Sequence, residues 1–140
     1  MKILIMGLPG SGKTTLAKEL QKQLCDIGCG TVWFNADDVR KQFDDWDFSL
    51  QGRINQSKRM RELCDSTNCQ IQICDFVAPL QEMRDIFDAD ITVWVDTISQ
   101  GRFEDTNKMF VPPEKYNFRV TEQDAVRWAD IIIHGINIQS

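Results

Sequence analysis

Hydrophobic positions along this chain switch repeatedly between two periods. Residues 2–6 (KILIM) are nearly all apolar and predict a short strand covered on both faces, while Lys13 to Leu24 places Leu16, Ala17, Leu20 and Leu24 at helical spacing. Gly28 and Gly30 punctuate a turn, TVWF (31–34) reads as a second strand, and a short helix is expected to start near Asp37. The segment DDWDFSLQG (44–52) follows neither period and reads as a loop. A helix then fits from about Arg53 to Asp65, with Ile54, Met60, Leu63 and Cys64 on its inner stripe. QIQIC (70–74) predicts a third strand, Pro79 to Phe87 a short helix with proline near its first turn, and ITVWV (91–95) a fourth strand.

The chain is polar and irregular from Thr97 to Pro113, the composition of a lid or binding loop. YNFRV (116–120) fits a fifth strand. Thr121 is the expected N-cap of a closing helix with Val126, Ala129, Ile132, Ile133 and Ile136 on one stripe, although the triplet Ile131–Ile133 also fits a strand. Strands alternating with helices predict an α/β fold: a mainly parallel five-stranded sheet with helices on both faces. Without a repeat, linker or low-complexity tract, residues 1–140 read as a single domain, with the lid at about 97–113.

Composition narrows the function more than the fold. With 42% hydrophobic and 26% charged residues, the chain has the balance of a folded domain rather than a disordered one. No apolar run approaches the roughly 20 residues of a membrane helix, and the start MKILIMG lacks a signal peptide's features, so a cytoplasmic protein with no membrane partner is expected. The formal charge of −5 argues against an extended nucleic-acid track, because phosphate backbones are held mainly by lysine and arginine. Five cysteines (Cys25, Cys29, Cys64, Cys69, Cys74) without a CxxC, beside a single histidine, His134, lack zinc-ligand spacing and are expected to be buried or half-buried free thiols.

The first candidate chemistry lies between the first strand and the first helix. GLPGSGKT (Gly7–Thr14) fits G-x-x-x-x-G-K-[ST] in the strand-to-helix setting that this phosphate loop requires, the mark of a P-loop NTPase fold. Gly7, Gly10 and Gly12 let the backbone fold back, and the loop Pro9-Gly10-Ser11-Gly12-Lys13-Thr14-Thr15, through the N–H groups after Pro9 and the helix N-terminus, then cradles the phosphates of ATP. Lys13 is placed to reach the β/γ-phosphates, and the Thr14 hydroxyl to bind Mg2+. At the carboxyl edge of the second strand, FNADDVR brings Asn35, Asp37 and Arg40 to where open α/β sheets bind ligands. Asp37 can take a proton from an attacking hydroxyl or orient metal-bound water, or merely cap a helix; Arg40 can clamp an anionic acceptor. Asp75, after the third strand, is either an acid that holds Mg2+ through water or a plain loop aspartate.

At these residues the chain resembles the adenylylsulfate kinase family of P-loop phosphotransferases. That family's order is GLSGAGKTT, DGDNVR, a GFS…DR loop leading into a basic helix, FISPYR, and VDTPLE ahead of a lid containing KGLY. Here the counterparts are GLPGSGKTT, NADDVR (35–40), FSLQGR (48–53), FVAPLQ (76–81) and VDTISQ (95–100), with Lys108 at a compatible lid position. The resemblance runs from residue 2 to about residue 100. It implies that Asp37 is the catalytic carboxylate, that Arg40 and Arg53 grip the acceptor, and that Phe48 stacks on adenine with Phe76 in the same pocket wall. From the residues alone, Phe48 and Phe76 fit a core equally well, and Arg53 with Lys58, Arg59 and Arg61 fits a solvated helix face.

The chain departs from the pattern at Asn35, Gln56, Ala78 and Gln81, and beyond residue 100. The resemblance implies an ATP- and Mg2+-dependent kinase acting on a hydroxyl of a small, nucleotide-like acceptor, with Lys108 or Arg102 closing over the phosphates. NADDVR also resembles the NRDDYR segment of phage-type polynucleotide 5′-kinases, so a 5′-hydroxyl oligonucleotide, a sugar or another small alcohol is the alternative acceptor. A non-catalytic nucleotide-binding module is the alternative from another class. The helix at 53–65 and the apolar last helix are compatible with a homodimer.

Overall fold

The computed structural model describes residues 1–101 and 103–136, and Arg102 lies outside the described residues. Five parallel strands, β1 (Lys2–Met6), β2 (Thr31–Asn35), β3 (Ile71–Asp75), β4 (Ile91–Val95) and β5 (Phe118–Val120), make one sheet in the order β2-β3-β1-β4-β5. Six helices, α1 (Lys13–Asp26), α2 (Ala36–Phe43), α3 (Leu50–Asp65), α4 (Gln81–Phe87), α5 (Glu104–Met109) and α6 (Ala125–Gly135), cover both faces. None of the described helices is long and apolar enough to cross a membrane.

The sheet separates two apolar layers. On one face Leu16, Ala17, Leu20 and Leu24 of α1 pack with Ala129 and Ile132 of α6 over Ile3, Ile5, Ile73 and Val93. On the other, Met60 and Cys64 of α3 and Phe87 at the end of α4 pack over Leu4, Met6 and Cys74. A strand alternates its side chains, so β1 feeds Ile3 and Ile5 to one layer and Leu4 and Met6 to the other; this is why KILIM is apolar without a break.

Element ends differ from the sequence pattern where a capping side chain or a local backbone conformation decides them. Helix α3 begins at Leu50 rather than Arg53, because the Ser49 hydroxyl accepts from the Gly52 N–H and caps it. Helix α4 begins at Gln81 rather than Pro79, since Ala78 has a φ of 45° and Leu80 is extended. Helix α6 is capped by Asp124 rather than Thr121, the triplet Ile131–Ile133 is helical, and Val126 is 63% exposed rather than part of the inner stripe. The lid region carries the short helix α5. Cys29, Cys64 and Cys74 are buried free thiols, but Cys25 and Cys69 are exposed, contrary to expectation.

Arg84 of α4 fixes the far end of the lid region. Its guanidinium, only 6% exposed with the whole residue, donates to the carbonyls of Ala78 (2.9 Å), Pro79 (3.2 Å) and Val111, and to Gln81 Oε1 (3.3 Å), while the Val111 N–H donates back to Pro79 O at 2.8 Å. Burial lowers its pKa to about 10. Arg84→Met keeps much of the volume but leaves those carbonyls without their charged donor. Urea denaturation is expected to show a loss of roughly 1.5–3 kcal/mol, the worth of hydrogen bonds to a charged group.

Candidate active site

The phosphate loop joins β1 to α1 along a path that only glycine follows without strain. Gly7, Gly10 and Gly12 have φ values of 150°, 86° and 104°, and a Cβ on Gly7 would lie 2.5 Å from the Val95 carbonyl oxygen. Gly12 occupies the N-cap of α1 with no side chain to offer, so the helix's first N–H groups face the loop interior. The buried Lys13 side chain curls back into the loop and donates from Nζ to Leu8 O at 3.0 Å. From behind, Thr97 Oγ1 and Gln123 Nε2 both donate to Ser11 O, at 2.6 and 3.2 Å. Ser11 Oγ is buried without a hydrogen-bond partner.

The ends of β2 and β3 meet the start of α1. Asp75 is the last residue of β3, lies opposite Asn35 in the ladder, and is 2% exposed. Its Oδ2 accepts from Trp33 Nε1 at 2.7 Å and its Oδ1 from Asn35 Nδ2 at 3.0 Å. The same Asn35 amide reaches Thr14 Oγ1 at 3.2 Å, while its carbonyl oxygen accepts the Asp38 N–H at 3.1 Å and caps α2. Asp75 is therefore a buried strand residue, not a loop aspartate. Burial pushes its carboxyl up to about 7, opposed by the Trp33 hydrogen bond, the Lys13 charge and the Asn35 hydrogen bond and helped by the negative charge of Asp37. Asp37, in the first turn of α2, is exposed and acts electrostatically on both Asp75 and Arg40.

Arg40, Phe48 and Arg53 form a second group beside this one. The Phe48 ring is 49% exposed and lies 4.3 Å from the Arg40 guanidinium carbon and 5.5 Å from that of Arg53. Arg40, 4% exposed, donates from Nη1 to the carbonyls of Asp45 (3.1 Å) and Asp47 (3.2 Å), so it shapes the 44–49 loop. Arg53 donates to Phe48 O at 2.9 Å and to the buried Thr106 of α5 at 3.1 Å, which ties the lid helix to α3. Burial lowers the pKa of both arginines.

Two of the residues singled out from the sequence stand apart. Phe76 is 7% exposed and packs edge-on against Phe87 in the apolar layer under α3 and α4, with ring centroids 5.5 Å apart. Lys108 points outward on α5, pairs with Glu104 at 3.4 Å, and has a 74% exposed side chain. Arg102, the other lid cation of interest, lies outside the described residues. The sequence reading missed Trp33, Thr97, Gln123 and Arg84. For Trp33 one signal was available: in a strand it shares a face with Asn35, two residues on.

A cleft of about 160 Å3 adjoins the phosphate loop between α1 and the start of α6, lined by Gly12, Thr15, Val120, Gln123, Asp124 and Trp128 among others. The buried Trp128 Nε1 has no hydrogen-bond partner.

A family model described as adenylylsulphate kinase matches residues 1–102, which include the whole phosphate loop and the β2 and β3 edges. The chain belongs to the adenylylsulphate kinase family. Among curated relatives it is 34% identical over 86 residues to the adenylyl-sulfate kinase of Clostridium kluyveri, and 35% identical over 86 residues to that of Thermodesulfovibrio yellowstonii. Each match covers 59% of this chain and 43% of the relative, so the chain matches less than half the length of these kinases. The fold also follows that of Mycobacterium tuberculosis APS kinase CysC, solved in complex with AMPPNP and APS, with a TM-score of 0.82 at 18% identity over 98% of this chain and 97% of that one. Shikimate kinase from Aquifex aeolicus shares the fold more distantly, with a TM-score of 0.68 at 17% identity over 97% and 96% of the two chains.

Proposed function

We propose that this family member is an ATP-dependent kinase that transfers the γ-phosphoryl group to a hydroxyl of a small, nucleotide-like acceptor, adenylylsulfate or a relative of it. The observation that carries this reading is the convergence of Lys13, Thr14 and Asp75 on one glycine-lined cradle, with Asp37 at its rim. The cradle suits a triphosphate: its glycines fold the loop back at the uncapped N-terminus of α1, and its lysine is held by a loop carbonyl that a phosphate oxygen can outbid. It also suits Mg2+. Among the described residues no group of three His, Cys, Asp or Glu is arranged to hold an ion, which fits a cation that keeps much of its water and leans on a hydroxyl, phosphates and one or two acids.

Thr14, Asp75 and Asp37 are the residues that hold the metal in this reading. Held there, Mg2+ would supply positive charge to neutralise what grows on the β- and γ-phosphate oxygens. Lys13 turns from Leu8 O to the same oxygens. Arg40, Phe48 and Arg53 orient the acceptor, and Asp37 receives the proton of its hydroxyl as the new O–P bond forms and the bond to the β-phosphate oxygen breaks, releasing ADP. Arg53 links this acceptor group to the lid through Thr106, and Lys108 belongs to the element that closes. In this reading the purine of ATP lies in the cleft beside Gly12 and Trp128.

One observation favours a second acceptor class. Gln81, which stands in place of the family's arginine, carries no charge and bonds to Asp85 and Arg84. A less charged alcohol, such as a sugar or a 5′-hydroxyl oligonucleotide end, needs fewer free guanidinium groups. Incubation with ATP and Mg2+ and a panel of adenylylsulfate, a 5′-hydroxyl oligonucleotide and simple sugars tests both. One acceptor is expected to be phosphorylated, and Asp37→Asn to lower that rate roughly 10²–10⁴-fold. ATP binding without transfer to any of them, or an unaffected Asp37→Asn variant, overturns the kinase reading.

A further inference from the structure

The acid at the metal site is held by two neighbours on β2 whose arrangement is unusually determined. Asn35 faces Asp75 across the ladder, and its amide has only one workable orientation: the carbonyl oxygen is taken by the Asp38 N–H at 3.1 Å, so Nδ2 must face both Thr14 (3.2 Å) and Asp75 (3.0 Å). Trp33, two residues earlier on the same face of β2, takes the other Asp75 oxygen at 2.7 Å. Both carboxylate oxygens thus meet a donor from β2, and the carboxyl plane is set by two groups about one strand spacing away. A carboxylate at position 35, as in the DGD pattern of the family, would lose the donor and set two acids side by side. An uncharged residue at position 35 and an acid at position 75 therefore belong together in this chain.

We propose that Trp33 and Asn35 are positioning residues for the metal–nucleotide site, fixing Asp75 as the acid that meets the metal's water shell beside Thr14. The inference rests on the ATP–Mg2+ reading above. Neither residue touches nucleotide phosphate in this scheme; each acts through the direction it gives the Asp75 carboxylate. Trp33 also packs on the α1–α6 layer, so a purely structural tryptophan is the competing account, and the two differ in one measurable respect. Loss of packing weakens nucleotide binding whether or not metal is present, whereas loss of the indole donor weakens only the part that metal adds.

The test is calorimetry of a non-hydrolysable ATP analogue with Mg2+ and with EDTA, on the full chain, with circular dichroism to confirm folding. Trp33→Phe is expected to cut the Mg2+-dependent gain in affinity about fivefold to tenfold and to leave the metal-free affinity within about twofold. Asn35→Asp alone is expected to cut the gain likewise, and the exchange Asn35→Asp with Asp75→Asn to restore most of it, because donor and acid merely trade strands. A gain unchanged in Trp33→Phe, a parallel fall with and without metal, or an exchange variant no better than Asn35→Asp overturns the inference while the kinase reading stands. Failure of the parent protein to bind the analogue overturns the kinase reading, and this inference with it.

Discussion

Lys13→Ala is expected to lower phosphoryl transfer roughly 10²–10³-fold, the loss found when one preorganised donor is removed from a developing negative charge. Lys13 is 9% exposed, and its ammonium donates to Leu8 O at 3.0 Å within the glycine-lined loop. Its stem is packed in place, so little side-chain entropy remains to be lost when the head swings from a carbonyl to a phosphate oxygen. Its charge also pulls the Asp75 carboxyl downward, so its removal makes the neighbouring acid harder to ionise and compounds the loss. Lys13→Arg is expected to fail as well, because a planar guanidinium does not fit where a compact ammonium turns within a tight loop. Steady-state transfer to the accepted alcohol checks the rate, and calorimetry with ATP checks that binding weakens too. A rate within tenfold of the parent protein would refute the assignment of Lys13.

What the sequence disclosed follows from how local each feature is. The phosphate loop was legible because its spacing, its glycines and its flanking strand and helix all lie within about fifteen consecutive residues. Strands β1 and β4 and helix α1 match their apolar runs closely, because core position and period agree there. Boundaries slipped where one side chain reaching back decides them, as with Ser49 on Gly52 and Asp124 on Arg127. Val126 fitted the helical stripe but sits on the solvent side of α6, since the stripe that is buried is set by α1 across the contact. The Trp33–Asp75–Asn35–Thr14 chain was invisible as a unit. It depends on β2 aligning with β3 in one register and on α1 starting at the same edge, and no pattern within either strand states that alignment. The same holds for Arg53 on Thr106, 53 residues away, and for Arg84 on Val111.

The nucleotide- and metal-free protein is expected to lose stability as pH rises from 5 to 8, by about 2.5 kcal/mol, through Asp75 alone. The sign follows from proton counting. In the unfolded chain this acid titrates near 3.8, but in the folded chain burial holds it at about 7. Between those values the folded state keeps a proton that the unfolded state has released, so each step up in pH favours unfolding; the penalty accumulates from about 4, and levels off only above about 8. Asp45 and Asp47 are held below the usual carboxylate range by hydrogen bonds, so their stabilisation is lost only as pH falls below about 4. Burial pushes the Cys74 thiol upward, beyond the window. Urea midpoints at pH 5 and 8 measure the effect. Asp75→Asn exchanges an acceptor for a donor that faces Trp33 or Asn35, so its stability is expected to fall at pH 5 but to be nearly level across the window. The slope, not the absolute value, is therefore the quantity that reports on Asp75. A parent protein as flat as the variant would show that the carboxyl is not held in its neutral form by burial, and that the donors of Trp33 and Asn35 outweigh it.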